Sequence, residues 1–253
     1  TLAKRFSPVT GVIRSWDFVR KGRDWKYPVI IDNMMNLEHL CNAGRIFNDD
    51  SLKVVAVTHA NTTMCNHFRP DYTSWHLVDY DPESGEVRKK ETVQGFSDDS
   101  AWARGQAWAL YGFTMMFRES GHDSYFTQAR NVADMLLSRL PEDGVPYWDL
   151  DSDKIPNDLR DASAAAIMAS AFVQLSTLTD DEASNAKYLA MAEKQLRTLA
   201  GPEYLAEPGT NGNFILKHCV GSLPDNSEVD VPLTYADYYF LEALLKYKSI
   251  TDK

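Results

Sequence analysis

Cysteine is scarce in this 253-residue chain: Cys41, Cys65 and Cys219 are the full set. Three scattered thiols exclude a disulfide framework and a cysteine-based zinc site, and fit small core residues. The six histidines form no HExxH pair, so no metal and no cofactor is expected. Positive charge is also short. The 26 Lys+Arg stand against 36 Asp+Glu, a formal net charge of -10, which argues against a nucleic-acid partner. No apolar run reaches the ~18 residues of a spanning helix, so no membrane partner is expected. No signal peptide is visible in the sequence either. The opening TLAKRFSPVTGVIRSW lacks an initiating Met and reads as the middle of a folded domain. What is present is 44% hydrophobic and 25% charged, enough for a large core and too apolar for disorder.

The apolar pattern is helical. Met35, Leu37, Leu40, Ala43, Ile46 and Phe47 make a helical stripe. The pattern predicts seven helices, over about 32–47, 50–68, 99–120, 122–140, 161–179, 182–199 and 232–250. Between 69 and 97 lies a polar excursion whose alternation, broken by Asp81-Pro82-Glu83-Ser84-Gly85, reads as a hairpin. Three helices open on similar motifs at Asp32, Asp99 and Asp161, spaced by 67 (32 to 99) and 62 (99 to 161) residues. A fourth begins near Leu233. Two helices per repeat describe an all-α fold, an α/α toroid. DASAAAIMASAFVQL has the composition of an inner helix, and EASNAKYLAMAEKQLRTL that of an amphipathic outer one. Six pairs close such a ring, so about five helices are expected ahead of Thr1.

Long loops carry sites, and two stand out, 69–97 and 201–231. The helix after the first holds Trp102, Arg104 and Trp108, with Arg104 and Trp108 on one face. An Arg beside an indole can grip a carboxylate while the ring supports a sugar face. The plainer readings stand alongside. Aromatics four apart on a helix also suit a core, and Arg104 could pair with a neighbour such as Asp99. Asp32, Asp99 and Asp161 all sit where N-caps belong. His76 alone is equally a satisfied buried residue.

At these residues the sequence resembles the unsaturated glucuronyl hydrolases of glycoside hydrolase family 88. IIDNMMNLEHL and QGFSDDSAWARGQAWALYGF are the most specific stretches. TSWHLVDYDPESGEV, PYWDLD, DLRDASAAAIMASA and YADYYFLEALL extend the likeness to the C-terminus. The resemblance implies a single (α/α)6 barrel domain over 1–253, of which this chain is the C-terminal two thirds. It implies release of an unsaturated uronic acid from the non-reducing end of lyase-generated oligosaccharides, the expected partner. The catalytic acid/base falls on Asp32. His76, Gln94, Arg104 and Trp108 fall on positions that hold the sugar ring and its carboxylate. Trp102, Trp16, Tyr147 and Trp148 are candidates for the pocket wall, and Ser222, in the segment 217–223, for contact with the next sugar or its sulfate. A second family Asp lies in a segment ahead of Thr1.

The net charge of -10 gives an anionic sugar no long-range attraction, so recognition must be local. Two other readings remain open on sequence. One is the related unsaturated rhamnogalacturonyl hydrolases, whose helix-start motifs differ from NMMN and WARGQAW. The other is a non-catalytic sugar-binding fragment.

Overall fold

Residues 2–18, 21–179 and 181–252 are described in the structure, a computed structural model. Seven α-helices dominate the described residues: α1 Leu37–Phe47, α2 Asp50–Asn66, α3 Ala103–Ser120, α4 Asp123–Arg139, α5 Ala162–Ser176, α6 Glu182–Leu199 and α7 Thr234–Thr251. They pack as hairpin pairs, α1 on α2, α3 on α4 and α5 on α6. α3 also packs on α1 and α5, and α5 on α7. This makes an inner layer of odd-numbered helices and an outer layer of even ones, the α/α barrel arrangement.

Composition decides the layer. α5 is rich in Ala, the best helix former, and nearly every side chain in it is buried. Its small residues let α3, α6 and α7 approach from three sides. α6 buries Tyr188, Ala192, Leu196 and Leu199 and exposes its charges, as an outer helix should. Local chemistry sets the ends. Asp49, Asp161 and Asp181 cap α2, α5 and α6 by accepting backbone N–H groups from Ser51, Ser163 and Ser184. Gly121, at φ +71°, ends α3 in the left-handed region that suits glycine.

Two expected caps are corrected. Asp32 is not an N-cap: it lies inside a 3-10 turn, Ile31–Asn36, that precedes α1. Asp99 lies four residues before α3 begins. There Ala101 N–H donates to Asp151 (2.8 Å) and Leu150 N–H donates to Ala101 O (3.0 Å), which holds the segment outside the helix.

Short strands close one end of the helical layers. β1 Phe6–Ser7 pairs with β2 Val12–Ile13, antiparallel. β3 Tyr27–Ile30, β4 Leu77–Tyr80 and β5 Val87–Glu91 form an antiparallel sheet in that order. The expected hairpin in 69–97 is β4–β5, but its pairing with β3 was not foreseen. A further hairpin, β6 Cys219–Ser222 with β7 Ser227–Val231, occupies what sequence read as a loop. No helix among the described residues is long and apolar enough to cross a membrane. α7 leaves Tyr238, Leu241 and Leu245 exposed, and α1 leaves Ile46 and Phe47 exposed.

Candidate active site

The sheet and the inner helices meet at the 3-10 turn. Ile31 N–H donates to His76 O at 2.9 Å, which joins the end of β3 to the start of β4. Asn33 Nδ2 donates to Ile13 O at 2.7 Å. On the opposite side, the turn lies directly on α3. A Cβ added at Gly112 would overlap Met34 Cβ, so the helix needs glycine there to let the turn approach. Asp32 is thereby held over the first turns of α3.

His76 faces it. Its Nδ1 accepts the backbone N–H groups of Val93 (3.1 Å) and Gln94 (3.2 Å). Two donors on Nδ1 require its lone pair, so the ring proton of neutral His76 is assigned to Nε2. Nε2 lies 3.8 Å from Asp32 Oδ2. The imidazole rests on Trp102, ring centroids 4.4 Å apart. On its other side Trp102 meets the Arg104 guanidinium, 4.4 Å from the ring centre.

Asp32 keeps 20% side-chain exposure, yet protein surrounds it. Burial pushes its carboxyl up from 3.8 to about 6, against the pull of Arg104 and a hydrogen bond from Trp108. Oδ2 of Asp32 and Nε1 of Trp102 are both buried without a hydrogen bond among the described residues. Polar atoms left so are costly, and their convergence suits a bound ligand.

Arg104 is buried and already engaged. Its Nη1 pairs with Asp161 at 2.9 Å and also donates to Val220 O; Nη2 donates to Gly221 O at 2.6 Å. The partner is Asp161, not Asp99. The end-on fork of Nη1 and Nη2 is therefore not free for an incoming carboxylate; the Nε–H and the second N–H of Nη2 are the two donors that remain to offer. Trp108, 3% exposed, packs edge-on against Tyr239 with centroids 5.1 Å apart.

Gln94 donates through Nε2 to Gly221 O at 2.9 Å. With Trp16, Phe18, Ile30, Val93 and Asp225 it lines a cavity of about 370 Å³. Trp16 is braced there by stacking on Trp25 at 5.6 Å. Ser222 is buried and donates to Asp225 at 2.7 Å, on the turn from β6 to β7. Trp148 shares a buried cluster with Trp102 and Val220 and lines a second cavity of about 250 Å³ with Phe96. Tyr147 does not join the wall: its ring lies under Arg160 and its hydroxyl donates to Pro156 O. So Asp32, His76, Trp102, Arg104 and Trp108 form one cluster; Gln94 joins it through His76 and lines the adjoining cavity with Trp16 and Asp225, to which Ser222 donates.

Sequence reasoning missed two members. Tyr235, at the start of α7, lies 5.4 Å from the Arg104 guanidinium and 6.5 Å from the Trp108 ring. Asp161 was read only as a cap. Neither carries a local signal, because both reach the site from other repeats. Chemically, the cluster offers a carboxyl that keeps its proton up to about pH 6, an imidazole N–H facing it, and indole walls.

No protein-family model matches the chain. It is 47% identical over 252 residues to the unsaturated glucuronyl hydrolase of Formosa agariphila, covering 99% of this chain and 62% of that protein. It is 34% identical over 247 residues to the unsaturated chondroitin disaccharide hydrolase of Streptococcus pyogenes, covering 97% and 61%. Among solved structures, an unsaturated glucuronyl hydrolase specific for heparin superposes with a TM-score of 0.95 at 49% identity, over 100% of this chain and 67% of that one. The enzyme from Bacillus sp. GL1 gives 0.89 at 30% identity, over 97% and 65%. The chain thus spans about three fifths of the length of the curated relatives it matches. Identity at this level over nearly every residue, on the same α/α barrel, means that the chain belongs to the unsaturated glucuronyl hydrolase family.

Proposed function

We propose that the protein carrying this chain hydrates the unsaturated uronic acid at the non-reducing end of lyase-generated oligosaccharides and so releases it. The observation that carries the reading is Asp32, a mostly enclosed carboxyl raised to about 6 and faced by His76 Nε2 at 3.8 Å. Relatives named for unsaturated glucuronyl and chondroitin disaccharide substrates support it.

The target ring is a vinyl ether, with its double bond between C4 and C5 and the ring oxygen on C5. Asp32 donates its proton to C4. Positive charge appears at C5, where the ring oxygen shares it. Water adds to C5 and returns a proton to the Asp32 carboxylate. The hemiketal at C5 opens to a ketone, leaving a hydroxyl beside the aglycone oxygen at C1. That centre collapses to an aldehyde and expels the aglycone. Bond cleavage follows from hydration, so neither two-carboxylate glycosidase scheme applies. In this reading His76 orients Asp32, Trp102 and Trp108 wall the ring, Arg104 fixes that wall, and Gln94, Trp16 and Ser222 meet the sugars beyond. The substrate carboxylate would raise the Asp32 pKa further, which favours the acid form needed at the start.

The test follows the alkene absorbance of unsaturated heparin and chondroitin disaccharides with the full-length protein. Consumption by the parent and none by Asp32→Asn is the expected result. Consumption at the parental rate by the variant would remove Asp32 from the role.

A further inference from the structure

The second cavity shares a wall with the first. Gln94 and Asp225 line the cavity at the site mouth, while Phe96, Leu223 and Pro224 line its neighbour. Trp148 closes the neighbour, and Phe96 meets that indole edge-on, centroids 6.5 Å apart at 76°. Trp148 cannot swing freely. Its Nε1 donates to Asp158 at 2.8 Å, and Ser152 Oγ donates to the same carboxylate oxygen. Phe96, by contrast, is 44% exposed and meets the Trp102–Trp148–Val220 cluster at that indole.

The remaining lining is polar and mixed in sign: Asp153 and Lys154 place an acceptor and a donor at the rim. Pockets for sulfate or carboxylate gather cations in excess of acids. Here acids outnumber the one cation. An aromatic wall with hydroxyl-matching groups of both kinds suits a neutral, hydroxyl-bearing ring. At about 250 Å³ the space is below the ~300–1,000 Å³ of pockets for drug-sized ligands, which suits one ring rather than a chain.

We propose that the Phe96–Trp148 cavity is a subsite for an uncharged sugar ring on the reducing-end side of the oligosaccharide, reached over the Leu223–Asp225 tip. This rests on the hydrolase reading above. The subsite would leave a disaccharide untouched and add affinity only for longer substrates.

The experiment compares an unsaturated glucuronyl disaccharide with a tetrasaccharide whose reducing-end sugars are neutral. The full-length parent is set against Phe96→Ala and Lys154→Ala. Phe96→Ala is expected to lower kcat/KM for the tetrasaccharide about tenfold, through KM, with the disaccharide unchanged. Lys154→Ala is expected to move the tetrasaccharide KM in the same direction by less. Equal losses on both substrates, or no loss on either, overturn the subsite while leaving the hydrolase reading intact. A parent that consumes neither substrate overturns both.

Discussion

Arg104 and Asp161 meet at 2.9 Å, both buried, one in the first turn of α3 and the other capping α5. The same Asp161 carboxylate accepts Ser163 N–H at 3.0 Å and lies 3.4 Å from Val220 N. One side chain therefore joins two inner helices and the β6–β7 hairpin. Removing one partner of such a pair leaves an uncompensated buried charge, at a cost of about 3–5 kcal/mol. Asp161→Ala should lose that much in urea unfolding, the helix cap included. A loss below about 1 kcal/mol, the range of exposed pairs, would contradict the geometry.

Asp32→Asn should abolish turnover and yet stabilise the fold. The folded carboxyl titrates near 6 against an ordinary 3.8, so the native state holds its proton longer than the unfolded chain. Stability is then lost as pH rises from about 4 to 6 and stays lost above. The neutral Asn escapes this, so its advantage over Asp32 should be absent near pH 3 and reach about 1–3 kcal/mol at pH 7–8. Melting curves of parent and variant across that range check it; parallel curves at every pH would refute it.

Because the acid form of Asp32 starts the proposed reaction, kcat/KM should fall as pH rises through about 6. The limb is expected to follow one proton. Because kcat/KM follows the free enzyme, a flat profile from pH 5 to 8 would mean that another group delivers the proton.

Gly112→Ala should disturb the site without touching substrate. The added methyl overlaps Met34 Cβ in the turn that carries Asp32. Overpacking of this kind costs about 1–3 kcal/mol. The readout that separates displacement from simple instability is kcat at a temperature where the variant remains folded. It should fall severalfold; an unchanged kcat would mean that the turn absorbs the methyl elsewhere.

Helices were the legible part of this sequence because their signals are local. α6 has the bounds that its amphipathic pattern gave, and Asp161 caps α5 as its position suggested. The start of α3 was misread because Asp99 mimics a cap, while the bond that Ala101 N–H donates to Asp151 and the one its carbonyl accepts from Leu150, fifty residues on, decide the matter. The β6–β7 hairpin left only a short pattern to read. Glu228-Val229-Asp230-Val231 alternates behind the Pro224-Asp225-Asn226 turn but holds only two apolar residues, and the positive φ of Glu228 and Asp230 interrupts the pleat. The candidate residues emerged from motif resemblance, but their bonding did not. That Arg104 would spend its donors on Asp161 and two backbone carbonyls depends on three distant segments meeting.

The β6–β7 hairpin is fastened at its root and open at its tip. Arg104, Gln94 and Asp161 between them hold Val220 and Gly221, whereas Leu223, Pro224 and Asp225 border the cavities, with Leu223 packed against the Trp148 cluster and Asp225 accepting from Ser222 within the turn. In evolutionary terms this separates what must be kept from what can drift. On the proposed function, substitutions or short insertions at 223–226 would reshape the cavity rims while the Arg104–Asp161 anchor stays in register, so selectivity for the flanking sugar would be free to change faster than the reaction itself.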